Sequence, residues 1–324
     1  MSNTVFGVSQ FRAEREADWQ RLEAMLDLIE KKSPRRLSSE DLFELPRLYR
    51  STLSALSDGS MIAYLESLST RAYFILYGCR DSFWKQLGGF FAQGWPAAVR
   101  GMVPEILIIA ALFIGSGLAG YFLVLADPGW FGAIVPGELA SGRNMQASVE
   151  TLRESIYGAP DHDGLEIFAT FLFTHNSQVS IMAFALGFAF GIPTLFLIAS
   201  NGVLLGAFYA AFVSKGLGVG FTGWLMIHGS TELSAIILAG AAGLHIGRAV
   251  AFPGERSRLA AAGEAGRRGA LVMIGVVIML LVAGLLEGFA RQLITADAAR
   301  FAIAATMFAI WVVYFALVGR RRHG

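Results

Sequence analysis

A histidine and a glutamate, His228 and Glu232, stand four residues apart in an apolar segment. Four residues is about one helical turn, so the two side chains share a helix face. Ionisable groups at membrane depth cost several kcal/mol and usually mark function. An imidazole and a carboxylate on one face can ligate a cation, relay a proton or supply two metal ligands. A structural pair within one buried face is the plainer alternative. Three more polar residues fall within apolar runs: His175, Asn176 and Asn201. The asparagines read either as hydrogen-bond links between helices or as parts of the same site. Asn201-Gly202 also reads as a turn signal.

Positioning these residues requires membrane-spanning helices. The chain has 324 residues, 55% hydrophobic and 16% charged. Soluble domains carry roughly 25% charged residues, so composition alone points to a multi-pass membrane protein. A span needs about 20 apolar residues. The segment carrying His228 and Glu232 covers about 222–246, and other spans are read at 106–125, 269–288 and 301–318. By helical rise, His228 lies ~9 Å and Glu232 ~15 Å from the outer end of their span.

Residues 165–214 form one nearly uncharged block. It breaks either at Gly191-Ile192-Pro193, giving two spans, or at Ser200-Asn201-Gly202, leaving half-spans and a re-entrant piece. The fold class expected is all-α: a polytopic membrane protein with about six transmembrane helices, broken or re-entrant segments among them, and an N-terminal cytoplasmic helical bundle.

The domain organisation expected is a bundle over 1–82, an interfacial helix over 83–104, a transmembrane domain over 105–319 with an external loop at 127–164, and a basic tail at 320–324. In the bundle, Trp19, Leu22, Leu26 and Ile29 recur at helical spacing. Ser33-Pro34 ends that helix, and Ser38-Ser39-Glu40-Asp41 caps the next. Residues 83–100 carry Phe83, Trp84, Lys85, Phe90, Phe91, Trp95 and Arg100, a composition suited to the bilayer interface.

Met1–Gln20 contain Arg12, Glu14, Arg15, Glu16 and Asp18 and no apolar signal-peptide core, so the N-terminus is expected in the cytoplasm. Of the 26 Lys and Arg residues, 13 lie in 1–100, and five arginines lie in 247–268. Each opposite loop carries one or two. The positive-inside rule then places both termini inside.

Several classes are not supported. The single cysteine, Cys79, allows no intrachain disulfide or cysteine metal site and reads as a small buried hydrophobe. No His-Glu-x-x-His, P-loop or Gly-x-Ser-x-Gly motif occurs. His175, His228 and Glu232 offer at most three ligands, so an intramembrane metal-dependent hydrolase is a minor alternative. No nucleic-acid motif stands out, and no catalytic residue, cofactor or metal is assigned. His245 is read as snorkelling or capping, and Glu287 as reaching the interface. Gly187-x3-Gly191 and Gly202-x3-Gly206 give small-residue faces that explain close helix packing and also allow a homodimer.

Taken together, His175-Asn176, Gly191-Ile192-Pro193-Thr194, Asn201-Gly202 with Gly206, His228-Gly229-Ser230-Thr231-Glu232 and Ala239-Gly240-Ala241-Ala242-Gly243 resemble the stage II sporulation protein M family over about 100–320. Phe11, Trp19, Leu22 and Leu48-Tyr49-Arg50 resemble its longer members from bacteria that do not sporulate. The resemblance implies a protein of the bacterial inner membrane. In spore formers the family member recruits two cell-wall-degrading proteins and has no catalytic role of its own. In other bacteria it implies envelope or membrane partners, an AAA-type ATPase or an RDD-type membrane protein among them. The N-terminal bundle and the longer external loop depart from the sporulation form. A non-enzymatic scaffold is therefore the leading expectation, and a transporter or channel built on Glu232 and His228 the alternative.

Overall fold

The structure, a computed structural model, describes residues 2–31, 38–54, 62–77, 83–158, 162–290 and 293–320. The Ser33-Pro34 helix stop, Cys79, Pro160, Arg291 and tail residues 321–324 lie outside these. Among the described residues all regular structure is helical, in two compact units divided between 86 and 87.

The first unit holds α1 (Ser2–Lys31), α2 (Ser39–Ser54) and α3 (Ile62–Tyr77). The periodic stripe of Trp19, Leu22, Leu26 and Ile29 is buried and packs on Leu45, Leu48, Leu65 and Leu68. Polar ties surround this core. Arg71 reaches Asp27 at 2.6 Å and Glu30 at 2.8 Å, and Tyr64 donates to Glu23 at 2.9 Å. Burial, with that hydrogen bond, pushes the Tyr64 hydroxyl up to about 12. Helix α2 starts in a reciprocal cap: the Asp41 N–H donates to Ser38 Oγ, and the Ser38 N–H donates to the Asp41 carboxylate, both at 3.1 Å.

The chain continues through α4 (Phe83–Gly89), a π-helical turn at Phe90–Gly94 and α5 (Trp95–Arg100) into α6 (Val103–Ala126). Short helices α7 (Gly129–Ile134) and α8 (Gly137–Ala140) precede α9 (Val149–Tyr157). Long helices follow: α10 (His162–Ala185), α11 (Ile192–Val213), α12 (Gly218–Ala251), α13 (Arg258–Leu285) and α14 (Asp297–Leu317). Among the described residues, five stretches are long and apolar enough to cross a membrane: α6, α11, α12, α13 extended to Gly288, and α14. The sixth expected span corresponds to α10. Its 24 residues suffice in length, but His175, Asn176, Ser177 and Gln178 lower its apolarity. The chain is a multi-pass membrane protein. Helix α12 is central: 67% of its apolar window is buried, against 11% for α14.

The break in the 165–214 block falls at Leu186–Gly191. Phe190 and Gly191 both take positive φ, 61° and 75°, and Pro193 opens α11. Thr194, fully buried, donates its hydroxyl to the Ala183 carbonyl at 2.8 Å, satisfying an acceptor that the broken ladder leaves free. The break packs on α12, which fits the rule that irregular backbone at membrane depth must be covered by protein. A Cβ on Gly187 would meet the Gly243 carbonyl oxygen at 2.3 Å, and one on Gly247 would meet the Gly191 nitrogen at 2.4 Å.

Asn201-Gly202 is not a turn but lies within α11. Gly202 and Gly206 let α11 touch α6: a Cβ on Gly206 would lie 1.9 Å from the Gly117 carbonyl oxygen. Both small-residue faces read from the sequence are thus used within one chain. Trp95 also departs from expectation. It is 1% exposed, stacks on Phe90 and sits beside Trp311, Tyr314 and Phe315. Its ring fills the space over Gly275. Trp84, by contrast, is exposed. Arg100 donates to the carbonyls of Phe315 and Val318 at 2.8 and 2.6 Å, closing the C-terminal end of α14.

Candidate functional site: a polar cleft on the central helix

Helix α12 has 34 residues and is ~51 Å long by its rise. Glu232 lies near its middle, ~21 Å from Gly218. Glu232 is 6% exposed and His228 2%. Asn176 of α10 donates its side-chain amide to Glu232 Oε1 at 2.6 Å. His228 Nε2 stands 3.9 Å from Glu232 Oε2, and its imidazole meets the Trp224 ring edge-to-face. Two helices therefore converge on one carboxylate.

A cavity of about 130 Å³ reaches this carboxylate, and His175, Asn176, Asn201, His228 and Glu232 all line it. Such a volume holds several waters or one small solute, since a water needs about 10–15 Å³ on this measure. Apolar walls come from Phe113 of α6, Leu204 and Phe208 of α11, and Phe221 and Trp224 of α12. Asn201 behaves differently from Asn176: it donates to the Leu197 carbonyl of its own helix at 2.8 Å, so it is no interhelical link. Arg143, from the segment after α8, also lines the cavity. Its guanidinium donates to the Leu139 and Ala140 carbonyls and lies 5.8 Å from the Phe208 ring centre.

Among the described residues, no group of three or more His, Cys, Asp or Glu side chains is placed to hold a metal ion. The His175, His228 and Glu232 trio lines one wall system without converging on a common point. The arrangement can instead position a small polar or cationic group against Glu232, between two amides and two imidazoles.

Two other polar groups were not legible as such. Glu105, in the first turn of α6, is 2% exposed. Its Oε1 is 3.1 Å from His245 Nδ1 and 2.6 Å from Arg248. His245 is therefore an interhelical partner and does not snorkel. The available signal was positional: Glu105 and His245 flank the same end of their spans. At the other end of α12, Tyr157 donates to Asp297 at 2.8 Å, and Arg300, 1% exposed, donates to the carbonyls of Ile294 and Ile156 at 2.8 and 3.0 Å. Burial first, then the bond to Asp297, holds the Tyr157 hydroxyl above its usual range. Glu287, expected to reach the interface, is 2% exposed.

A family model described as stage II sporulation protein M matches residues 91–290. A second, described as a domain of unknown function, matches residues 9–78. Neither a curated protein nor a solved structure matches the chain.

Proposed function

The chain belongs to the stage II sporulation protein M family, and from that premise we propose that it is a non-enzymatic inner-membrane protein whose central cleft binds and passes a small cation or a proton. Both termini lie in the cytoplasm in this reading. The observation that carries it is the cavity reaching a mid-helix carboxylate, with Asn176, His228, His175 and Asn201 around it. A buried carboxylate with no arginine or lysine beside it among the described residues is costly when charged, and a cavity gives a small cation or a proton access to it. Glu232 is the cation or proton ligand, Asn176 fixes its orientation, and His228 and His175 supply further exchangeable protons.

Flux into proteoliposomes loaded with a pH-sensitive or cation-sensitive dye tests this. Glu232→Gln keeps the acceptor for Asn176 and removes the charge. The expected loss is about tenfold or more, the scale of one charge-assisted contact. Flux that is the same in wild type and variant overturns the proposal.

A second reading, a scaffold that recruits envelope partners, is favoured by the separate core of residues 1–86. That unit exposes Phe43 at 85% and Trp84 at 75%, apolar side chains suited to a partner. An AAA-type ATPase and an RDD-type membrane protein are the partners to try. Deleting 1–80 should abolish their co-purification; undiminished recovery of every partner rejects recruitment through this unit.

A further inference from the structure

The connection between α12 and α13 gathers basic side chains that the Glu232 cleft does not use. His245, Arg248, Arg256 and Arg268 line a cavity of about 360 Å³. Arg268 also lines a second cavity of about 470 Å³, together with Arg267. The carboxylate shared by the two linings is Glu264. It is engaged by Arg256, and Arg248 is engaged by Glu105. Among the described residues, Arg267 and Arg268 have no carboxylate partner. Two guanidinium groups therefore face adjoining cavities with their charge unbalanced. A guanidinium fork matches the oxygens of a phosphate, which makes arginine the usual phosphate ligand.

The walls identify which phosphate. Beyond its two arginines and Glu264, the second cavity is lined by Gly94, Ala97, Ala98, Gly101 and Leu271, a smooth apolar trough. Phe252 on the connection and Leu259 in the first turn of α13 stand nearly fully exposed, at 81% and 83%. The apolar part of α13 begins directly after Arg268. Arginines at that junction sit at headgroup level in a bilayer, where anionic lipid attracts basic side chains. A soluble phosphate ion would use the arginines and leave the trough empty. A phospholipid would use both.

We propose that Arg267 and Arg268 hold the phosphate of an anionic phospholipid headgroup, with its glycerol and upper acyl chains lying along Ala97, Gly101 and Leu271. Arg248 lines the first cavity from the far side of the connection, and Glu105 fixes its position. Arg258 opens α13 but lines neither cavity; its guanidinium lies 5.7 Å from the Phe190 ring centre. It is a charge-matched control.

The test uses the full chain in nanodiscs of phosphatidylcholine mixed with phosphatidylglycerol, with retained lipid read by native mass spectrometry. Wild type should retain phosphatidylglycerol over phosphatidylcholine. The Arg267→Gln, Arg268→Gln double variant should lower phosphatidylglycerol affinity about 30-fold, the sum of two headgroup-level charges. Arg258→Gln should change it less than about twofold, being outside the site. Both substituted arginines are exposed, so folding should persist; if the double variant does not fold, Arg268→Gln alone should give about fivefold. Retention unaffected by these variants overturns the site. So does an equal loss in Arg258→Gln, which would mean diffuse charge attraction. Displacement of the lipid by inorganic phosphate would overturn the lipid assignment and identify a soluble phosphoanion as the ligand.

Discussion

Two glutamates, each at most 6% exposed, sit in the same helical bundle and are treated in opposite ways. Glu105 is surrounded by cations: one of its oxygens is shared by His245 at 3.1 Å and Arg248 at 2.6 Å. Glu232 has no arginine or lysine partner among the described residues; a neutral amide holds it at 2.6 Å, and a cavity reaches it. The first carboxylate is neutralised by the protein itself, at the start of a helix whose dipole also favours a negative charge. The second has an amide at 2.6 Å and an imidazole at 3.9 Å beside it, and no guanidinium or ammonium among the described residues. Burial alone therefore does not distinguish a brace from a site. What surrounds the charge does.

The largest way to break this comparison is to remove the frame that both share. Helix α6 carries Glu105, and α11 walls the cleft; they meet through Gly202, Gly206 and Gly117. Gly206→Leu should abolish monodisperse protein on size-exclusion chromatography, because its Cβ alone would lie 1.9 Å from the Gly117 carbonyl oxygen. A folded variant would show that this helix contact is looser than it looks.

The next test separates the two carboxylates. Glu105→Ala should destabilise the membrane unit by about 2–4 kcal/mol, since His245 and Arg248 lose their shared acceptor. The exposed side of Arg248 argues for the lower half of that range. Glu232→Gln should leave thermal stability within about 1 kcal/mol of wild type, because a buried charge is exchanged for a neutral group of equal shape. Thermal unfolding of both variants in detergent sharpens the contrast: a large loss for Glu232→Gln would make Glu232 a second brace.

The smallest effect concerns a carboxylate in water. The bonds from Ser38, followed by the charge of Arg21, hold the Asp41 carboxyl below its usual range. A group depressed in this way adds stability above its unfolded pKa of about 3.9. That stability disappears as pH falls through the folded value. Circular dichroism of the full chain is dominated by its longer helices, so amide exchange at α2 is the suitable measurement. Asp41→Asn should expose α2 amides at neutral pH and remove most of their dependence on acid. Unchanged exchange would mean that the cap is redundant.

The sequence exposed the central polar residues because they contrast with the apolar runs holding them. His175, Asn176, His228 and Glu232 needed no partner information to stand out. The break between α10 and α11 had two candidate places, and local signals could not choose between them. Gly191 before Pro193 broke the helix, whereas Gly202 after Asn201 served contact with α6, a tertiary demand that mimics a turn signal. Trp95 followed the interface preference of its type in the reading and a packing demand in the fold, where Gly275 leaves room for its ring. The partners of Glu105 and Arg300 were unreadable for one reason. Glu105 meets His245 across 140 positions, and Arg300 meets Ile156 across 144. No local pattern records such distances.

The bond from Arg100 to the last turn of α14 spans 215 positions to Phe315. At ~5–20 residues per second, a ribosome takes roughly 10–40 s to make that interval. During that time Arg100 has been synthesised but its carbonyl acceptors on α14 have not. The contact between α5 and α14 therefore forms after the rest of the membrane unit has been made. A chain lacking residues 311–318 would leave the Arg100 guanidinium without its two carbonyl acceptors and the Trp95 ring without its neighbours Trp311, Tyr314 and Phe315.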